Sequence, residues 1–461
     1  MLLPPRLRAI LIQPWPWVLL VYACGIALRL MYTLGIQNPE RVIYADMGLY
    51  VGLGRRFLAD GGPLDPGDVL TPMGYPALIA LLLTGSGSLT RVINLQIILS
   101  CLVPLVVGGL GWAAYGRRTG LLAVVFASLY YPFIEYGALM LTEIHSIFWM
   151  TLAFTAFFAA RRVRRPFASL GVAAAGGLAL SISASFKSVA IAAGIMFFIV
   201  EGVALGLKRG SDGQRPSWVA RLRPWVLRGA LVAVAAAPLM IVLARVCTRA
   251  NEGKFCVTGN KHGSDLLLGH YGRIADIEWR SEGRDLYKFG SPGALLRHYD
   301  PHAKVPFSMT DNARNTAEAW RWTVAHPGES IVLSLDHIYD TFFGSSMWPT
   351  FNHDVWPFAN LSQYVFVVLL FVPTVLGCAS VLRRGLRASI TSQTALLLAP
   401  LVALSITVAI ATGEVRYRIP FDVFFIAIAC AYFTGDLARV DGAPAAVVVP
   451  GGTGAAALAR S

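Results

Sequence analysis

Apolar positions along this chain run together rather than alternating. Stretches of about 18 to 24 apolar residues recur along most of its length, enough to cross a hydrocarbon core of about 30 Å. They predict ten membrane spans, at about 15–35, 92–114, 120–139, 144–161, 167–185, 188–206, 229–247, 359–382, 389–411 and 419–437. The expected fold class is an all-α polytopic membrane protein. Two segments break the rhythm of tight hairpins. In 36–91 the apolar piece Tyr75–Leu83 is too short to span and is expected to lie flat at the interface. In 248–357, Asp311–Ala325 has helical spacing and stops at His326-Pro327. A second helix is expected over about Gly328–Phe343 and a short strand over Lys254–Thr258. The chain therefore divides into an N-terminal membrane module, 1–247, a small mixed loop subdomain, 248–357, C-terminal spans, 358–438, and a tail, 439–461. From Asp441 the tail is rich in Gly, Ala, Pro and Val and is expected to be disordered. No internal repeat of fixed period is present.

Composition narrows the class. Of 461 residues, 56% are hydrophobic and 14% charged, where soluble globular proteins have about 25% charged. A disordered chain, a disulfide-rich miniprotein and an ordinary cytosolic enzyme are excluded. The net charge of +13 first suggests nucleic acid, but its distribution does not. The ends and loops expected in the cytosol (1–14, 116–119, 161–166, 207–228, 383–388 and 439–461), with Glu201 and Asp436, hold 19 of the 39 Lys/Arg and 4 of the 26 Asp/Glu, a balance of +15. The remainder holds 20 against 22, a balance of −2. This is the bias that sets membrane topology, so no nucleic-acid partner is expected. Arg6 and Arg8 precede an apolar run with no small-residue cleavage site after it, which reads as a retained first helix. Both termini are placed in the cytosol and both long loops outside. The expected location is a bacterial inner membrane with the site facing the periplasm.

Candidate chemistry gathers on that outer side. Asp46 lies in Tyr44-Ala45-Asp46-Met47-Gly48-Leu49-Tyr50, followed by Arg55-Arg56 and by Pro72-Met73-Gly74-Tyr75-Pro76. A carboxylate near the membrane surface, followed by cations, suits sugar transfer from a lipid phosphate. The acid takes a proton from an acceptor hydroxyl and the cations stabilise the departing phosphate. The competing reading of Asp46 is a cap for a helix starting at Met47. Glu143 and His145 open the fourth span, where Thr142 and Glu143 also suit a helix start. Lys187, Arg416 and Arg418 break the positive-inside trend, and Arg29 lies within the first span. All four are expected at one outer level, where a common anionic ligand would explain them. Snorkelling to headgroups is the alternative.

Together these features resemble the GT-C superfamily of membrane glycosyltransferases, and within it the branch of protein O-mannosyltransferases, the lipid A aminoarabinose transferase and the rhizobial galacturonosyltransferases. The likeness rests on Asp46 with Tyr44 and Tyr50, Gly62, Pro72-x-x-Tyr75-Pro76, Asn94-x-Gln96, Thr142-Glu143 and Arg416-Tyr417-Arg418-x-Pro420. It also rests on Gly259-Asn260-x-x-Gly263-x-x-Leu266-x-x-Gly269 and Ala319-x-x-Trp322-x-x-x-His326-Pro327. It covers about residues 15 to 437.

The resemblance implies an inverting hexosyl- or pentosyltransferase. Its donor would be a polyprenyl-phosphate-linked sugar and its acceptor a glycolipid, glycan or protein hydroxyl. Asp46 and Glu143 would be the catalytic acids. Arg55, Lys187, Arg416, Arg418, Tyr44, Tyr75 and His145 would bind donor phosphate or substrate. One departure concerns the cation that relatives often carry just before the Pro/Tyr turn; here Leu70-Thr71 stands there. No cofactor is implied, and a lone acid in place of Asp-x-Asp leaves a divalent metal unsupported. The seven His of the long loop lack tight ligand spacing, and Pro301 separates His298 from His302. Cys247 and Cys256 flank a short segment at the outer end of span seven and are candidates for a disulfide. A lipid-linked saccharide transporter or flippase, an O-antigen ligase-like protein and a non-catalytic assembly protein remain alternatives.

Overall fold

The computed structural model describes residues 13–41, 43, 46–85, 87–207, 218–270, 276–281, 284–290, 310–344 and 356–442. The expected disordered tail lies outside them beyond 442. In chain order the elements are α1 (Pro14–Met31, extended by a π-helical turn Tyr32–Ile36), α2 (Asp46–Asp60), α3 (Gly74–Leu83), α4 (Thr90–Ala114), α5 (Arg117–Leu129), α6 (Tyr131–Ala138), α7 (Glu143–Arg162), α8 (Pro166–Phe186), α9 (Val189–Leu207), α10 (Trp218–Ala250), α11 (His262–His270), β1 (Asp276–Ser281), β2 (Arg284–Gly290), α12 (Asn312–Ala325) and α13 (Pro327–Phe343). There follow α14 (Trp356–Val365, with a π-helical continuation Phe366–Phe371), α15 (Val372–Leu382), α16 (Leu386–Ile390), α17 (Gln393–Ile410), α18 (Val415–Arg418), α19 (Asp422–Thr434) and α20 (Asp436–Gly442). Strands β1 and β2 form an antiparallel pair; the rest of the regular structure is helical. Among the described residues nine helices are long and apolar enough to span, and α5 with α6 makes ten if that bent pair is one span. The chain is a multi-pass membrane protein.

Span three departs from the expected straight helix over 120–139. It breaks at Tyr130, and α5 and α6 meet at 53°. Pro132 stands in the first turn of α6, where its missing N–H costs nothing. The break leaves the last carbonyls of α5 without helical partners, and Arg29 supplies them. Its guanidinium donates to the carbonyls of Ser128 at 2.7 Å and Ala127 at 2.9 Å, and to its own helix at Gly25. Arg29 is thus buried as a helix cap and does not reach a common ligand. Replacing Arg29 with Met is expected to destabilise the protein by about 1–3 kcal/mol through the stranded carbonyls. Turnover per folded molecule should stay unchanged. Thermal melting in detergent micelles, paired with any activity readout, checks both halves.

Enclosure is uneven, and that decides where chemistry can sit. The spans Val415–Thr434 and Glu143–Arg162 are 78% and 72% buried, against 17% for Leu222–Ala250. The bundle is thus built around α7 and α19, with α10 on the rim. The first loop folds onto one end of it as α2 and α3. Met47, Tyr50, Val51 and Phe57 of α2 and Tyr75 and Ile79 of α3 turn inward, the helical period that buries one face. At the start of α3, a side chain on Gly74 would collide with Ser185 near the end of α8. That close approach ties the first loop to the α8–α9 turn.

The long loop begins with a clip. Cys247 and Cys256 are joined by a disulfide. The stretch Lys254–Thr258 is not a strand but an irregular segment. Beyond it the backbone pairs with the first loop, Thr258 accepting from Met73 N at 3.0 Å and Asn260 donating to Val69 at 2.6 Å. Asn251, Asn260 and Asn312 then form a buried amide chain. Asn260 donates to Asn251 at 2.7 Å, Asn312 donates to the Asn260 carbonyl at 2.6 Å, and Gly263 N donates to Asn312 at 2.6 Å. Buried amides satisfied this way fix one arrangement of the loop. Helix α12 starts at its Asp311 cap, as the spacing predicts, and α13 begins one residue earlier than predicted.

Candidate active site

Four separate parts of the chain deliver charge to one place. Asp46 is the first residue of α2, Glu143 the first of α7 and Arg416 lies in the single turn α18. Lys187 sits in the turn between α8 and α9, held by its backbone N–H to Ser183. Each stands at a helix end, where side chains leave the bundle axis and converge at its rim.

Arg416 is the link. Its Nη1 donates to Asp46 Oδ2 at 2.8 Å and its Nε donates to Glu143 Oε1. Lys187 Nζ reaches the same Glu143 oxygen at 2.9 Å and lies 5.4 Å from the centroid of the Tyr417 ring. Glu143 is fully enclosed, whereas the Asp46 side chain is 34% exposed. The two acids are therefore not equivalent. Glu143 is a buried anchor for two cations, and Asp46 presents its carboxylate to an open space.

That space is a cavity of about 390 Å³. Its charged lining consists of Asp46, Lys187, Lys261, Asp265 and Arg416. Thr71, Thr142, Thr407 and Thr412 add hydroxyls, and Leu49, Phe186, Val189, Leu404 and Val408 make an apolar wall. Lys261 pairs with Asp265 at 3.2 Å. That carboxylate raises the Lys261 pKa, whereas burial pushes Lys187 down with Glu143 opposing it. Glu414 lies close to this set, and burial raises its pKa. Every lining cation already shares a carboxylate, so an anion entering the cavity would have to exchange partners.

The sequence reading is corrected at several residues. Arg418 does not face the cavity. It is buried, donating to Asp422 at 2.9 Å, to the Phe342 carbonyl at 2.9 Å and to Gln363 Oε1 at 3.0 Å, with its guanidinium 3.5 Å from the Phe366 ring centroid. Tyr130 also donates to Asp422, at 2.6 Å. Arg418 and Asp422 are a structural pair, one helical turn apart. Arg55 is exposed on α2 and does not line the cavity, while its neighbour Arg56 pairs with Asp68 at 2.8 Å. Tyr75 and His145 lie one layer back. Tyr75 donates to Gln96 at 2.9 Å, and His145 is stacked at 4.8 Å on Phe186, the residue that forms the wall. Tyr44 falls outside the described residues.

Sequence reasoning missed Lys261 and Asp265. Both lie in a loop of ordinary soluble composition, where a Lys and an Asp four apart attract no notice. The pairing of 258–260 with 69–73 carries Lys261 to Leu70, Thr71 and Pro72 at the cavity wall. The long loop thus places a cation beside Leu70-Thr71.

Asp46 and Glu143 both direct oxygens at Arg416, and among the described residues no three His, Cys, Asp or Glu side chains converge in a way that could hold a metal. Lys187, Lys261 and Arg416 are the groups that face the site's carboxylates.

No protein-family model and no curated protein matches this chain. Solved structures do resemble it. One is the Archaeoglobus fulgidus oligosaccharyltransferase tethered to an acceptor peptide containing the NVT sequon, with a TM-score of 0.52 and 13% identity over 91% of this chain and 49% of that one. Another is the archaeal oligosaccharyltransferase AglB from Archaeoglobus fulgidus with an inhibitory peptide and a dolichol-phosphate, at a TM-score of 0.51 and 13% identity over 91% and 50%. The chain spans about half the length of these proteins.

Proposed function

We infer that the chain has the GT-C fold, from its likeness to the solved oligosaccharyltransferase structures. We propose that it is an inverting glycosyltransferase that moves a single sugar, a hexose or pentose, from a polyprenyl-phosphate donor to a hydroxyl of a lipid, glycan or protein. We place it in a bacterial inner membrane with the cavity facing the periplasm, in accord with the charge asymmetry of its loops. The supporting observation is the Arg416 bridge, which sets one half-exposed carboxylate beside three cations in a single cavity. The similar solved structures add weight, since one of them holds a dolichol-phosphate. The volume suits one sugar phosphate, near the lower end of small-ligand sites at about 300–1,000 Å³.

In this reading the acceptor oxygen attacks the anomeric carbon as its bond to the phosphate oxygen breaks. The hydroxyl proton passes to Asp46 and the electron pair leaves with the polyprenyl phosphate. Negative charge on that phosphate grows through the step, and Arg416, Lys187 and Lys261 are the groups available to stabilise it. The donor phosphate competes with Asp46 for Arg416 Nη1. Binding the donor therefore frees the carboxylate just when a base is needed. The apolar wall of Leu404, Val408 and Val189 receives the start of the lipid chain.

The test is transfer of labelled sugar from a polyprenyl-phosphate monosaccharide by the purified protein in nanodiscs, with an envelope lipid extract as acceptor. Labelled product is the expected result. Labelled donor moved across a vesicle bilayer with no product formed overturns the reading in favour of a carrier.

A further inference from the structure

Helix α13 belongs to the long loop and meets α11 there through His337 on the Gly269 carbonyl, yet it also contacts the middle and ends of membrane spans. Ser334 Oγ donates to the Ala409 carbonyl at the end of α17 at 2.8 Å. The Phe342 carbonyl accepts from Arg418 at 2.9 Å. The Phe343 ring lies 4.9 Å from that of Phe371, and Phe342 lies 6.0 Å from Phe425 within α19. Phe371 stands well inside the span Pro357–Leu382. At 1.5 Å per residue it lies roughly 20 Å from one end and roughly 16 Å from the other. The C-terminal end of α13 therefore packs beside the middle of that candidate span, not beyond its end.

The faces of α13 agree with that placement. Ser330, Leu333, His337 and Thr341 form the buried face, joined in the last turn by Phe342. Diametrically opposite, at about 100° per residue, Ile331, Val332, Leu335 and Tyr339 are 56–63% exposed. Glu329, Asp336 and Asp340 share the flank between these two faces, as spacings of seven and four require. A bundle face, an outward apolar face and an acidic flank are what a helix lying in the membrane boundary presents to protein, acyl chains and water. The outward face also continues the lipid-facing side of the neighbouring span, through Tyr339 packed on Phe343 at 5.5 Å and Phe343 on Phe371. On that span Leu361, Tyr364 and Val368 are exposed.

We propose that α13 is an immersed helix whose Ile331, Val332, Leu335 and Tyr339 face is covered by the acyl chains of bilayer lipid, on the side of the membrane that carries both long loops. The inference is independent of the proposed reaction, since it rests on the packing and the sidedness of one helix. It has a consequence for the site all the same. The bundle face of α13 clamps the turn before Arg416, because a side chain on Gly413 would collide with the His337 carbonyl. Lipid therefore supports the outer side of the element that positions Arg416.

The test uses Leu335→Cys and Asp336→Cys in a Cys24→Ser background, each labelled with bimane in nanodiscs. Lipids doxyl-labelled at a shallow acyl position should quench the probe at 335 at least twofold more than the probe at 336. Aqueous iodide should show the reverse order. Equal iodide quenching at both positions overturns the proposal. So does a probe at 335 that is insensitive to doxyl lipid but shielded as protein concentration rises, which would mark a second copy as the occupant. Val332→Cys and Asp340→Cys repeat the comparison if either first variant fails to fold.

Discussion

Asp46→Asn is expected to leave donor binding at least as tight, since a neutral amide competes less with the donor phosphate for Arg416, and to cut sugar transfer by about 10²–10⁴-fold, the usual effect of losing a positioned base. The amide keeps an oxygen to accept from Arg416 Nη1, now 2.8 Å from Asp46 Oδ2, so the bridge survives and geometry is preserved. What is lost is the ability to take a proton. An ionised carboxylate is a weak base toward an alcohol in water. Transfer must therefore be late, with the bond to phosphate largely broken before the proton moves. Single-turnover transfer and donor binding, measured on the same preparation, separate the two effects. Retention of more than about a tenth of the wild-type rate would rule Asp46 out as the base, given that range. Suspicion would then move to Asp265, the other carboxylate lining the cavity. Glu143 is a poorer substitute, being fully enclosed and shared by Arg416 and Lys187.

Arg416→Ala is expected to act on both stages. Donor affinity should fall, because the phosphate is anionic before and after reaction. Turnover should fall a further 10²–10³-fold or so with the loss of a donor to developing charge. The protein should still fold, since Glu143 keeps Lys187 at 2.9 Å and is not left unpaired. Arg416→Lys should rescue little. One ammonium cannot reproduce the planar fork that spans Asp46 and Glu143. The informative contrast is between affinity and rate. If donor affinity stays within about twofold while turnover collapses at the level expected for a lost donor, Arg416 only straps Asp46 in place and the phosphate is held by Lys187 and Lys261.

Much of this architecture is written in local sequence because the bilayer enforces it locally. No water reaches the hydrocarbon core, so each span must satisfy its own backbone and be apolar along its own length. The ten runs and the two long loops were legible for that reason, while in the second loop helical spacing showed α12 and α13 but not α11. The same physics flagged Lys187 and Arg416, whereas Asp46 was read as a carboxylate near the membrane surface and Glu143 as a helix-start acid. An ionisable group at a span end is costly enough to need a partner, and these four found one another. Cost alone does not name the partner. Arg29 and Arg418 carry the same signal, but one caps the carbonyls exposed where α5 breaks and the other pairs with Asp422 one turn away. Lys261 and Asp265 carry no signal, because in a polar loop a charge is ordinary.

By itself, then, the sequence determined the membrane class, the spans and the end of the bundle where charge gathers. Tertiary structure decided which charges meet. Asp46 and Arg416 are 370 positions apart and touch, and Lys261 joins their cavity through the backbone pairing of 258–260 with 69–73. Hydropathy is a property of single segments, whereas a site of this kind is a property of helix ends brought together by packing.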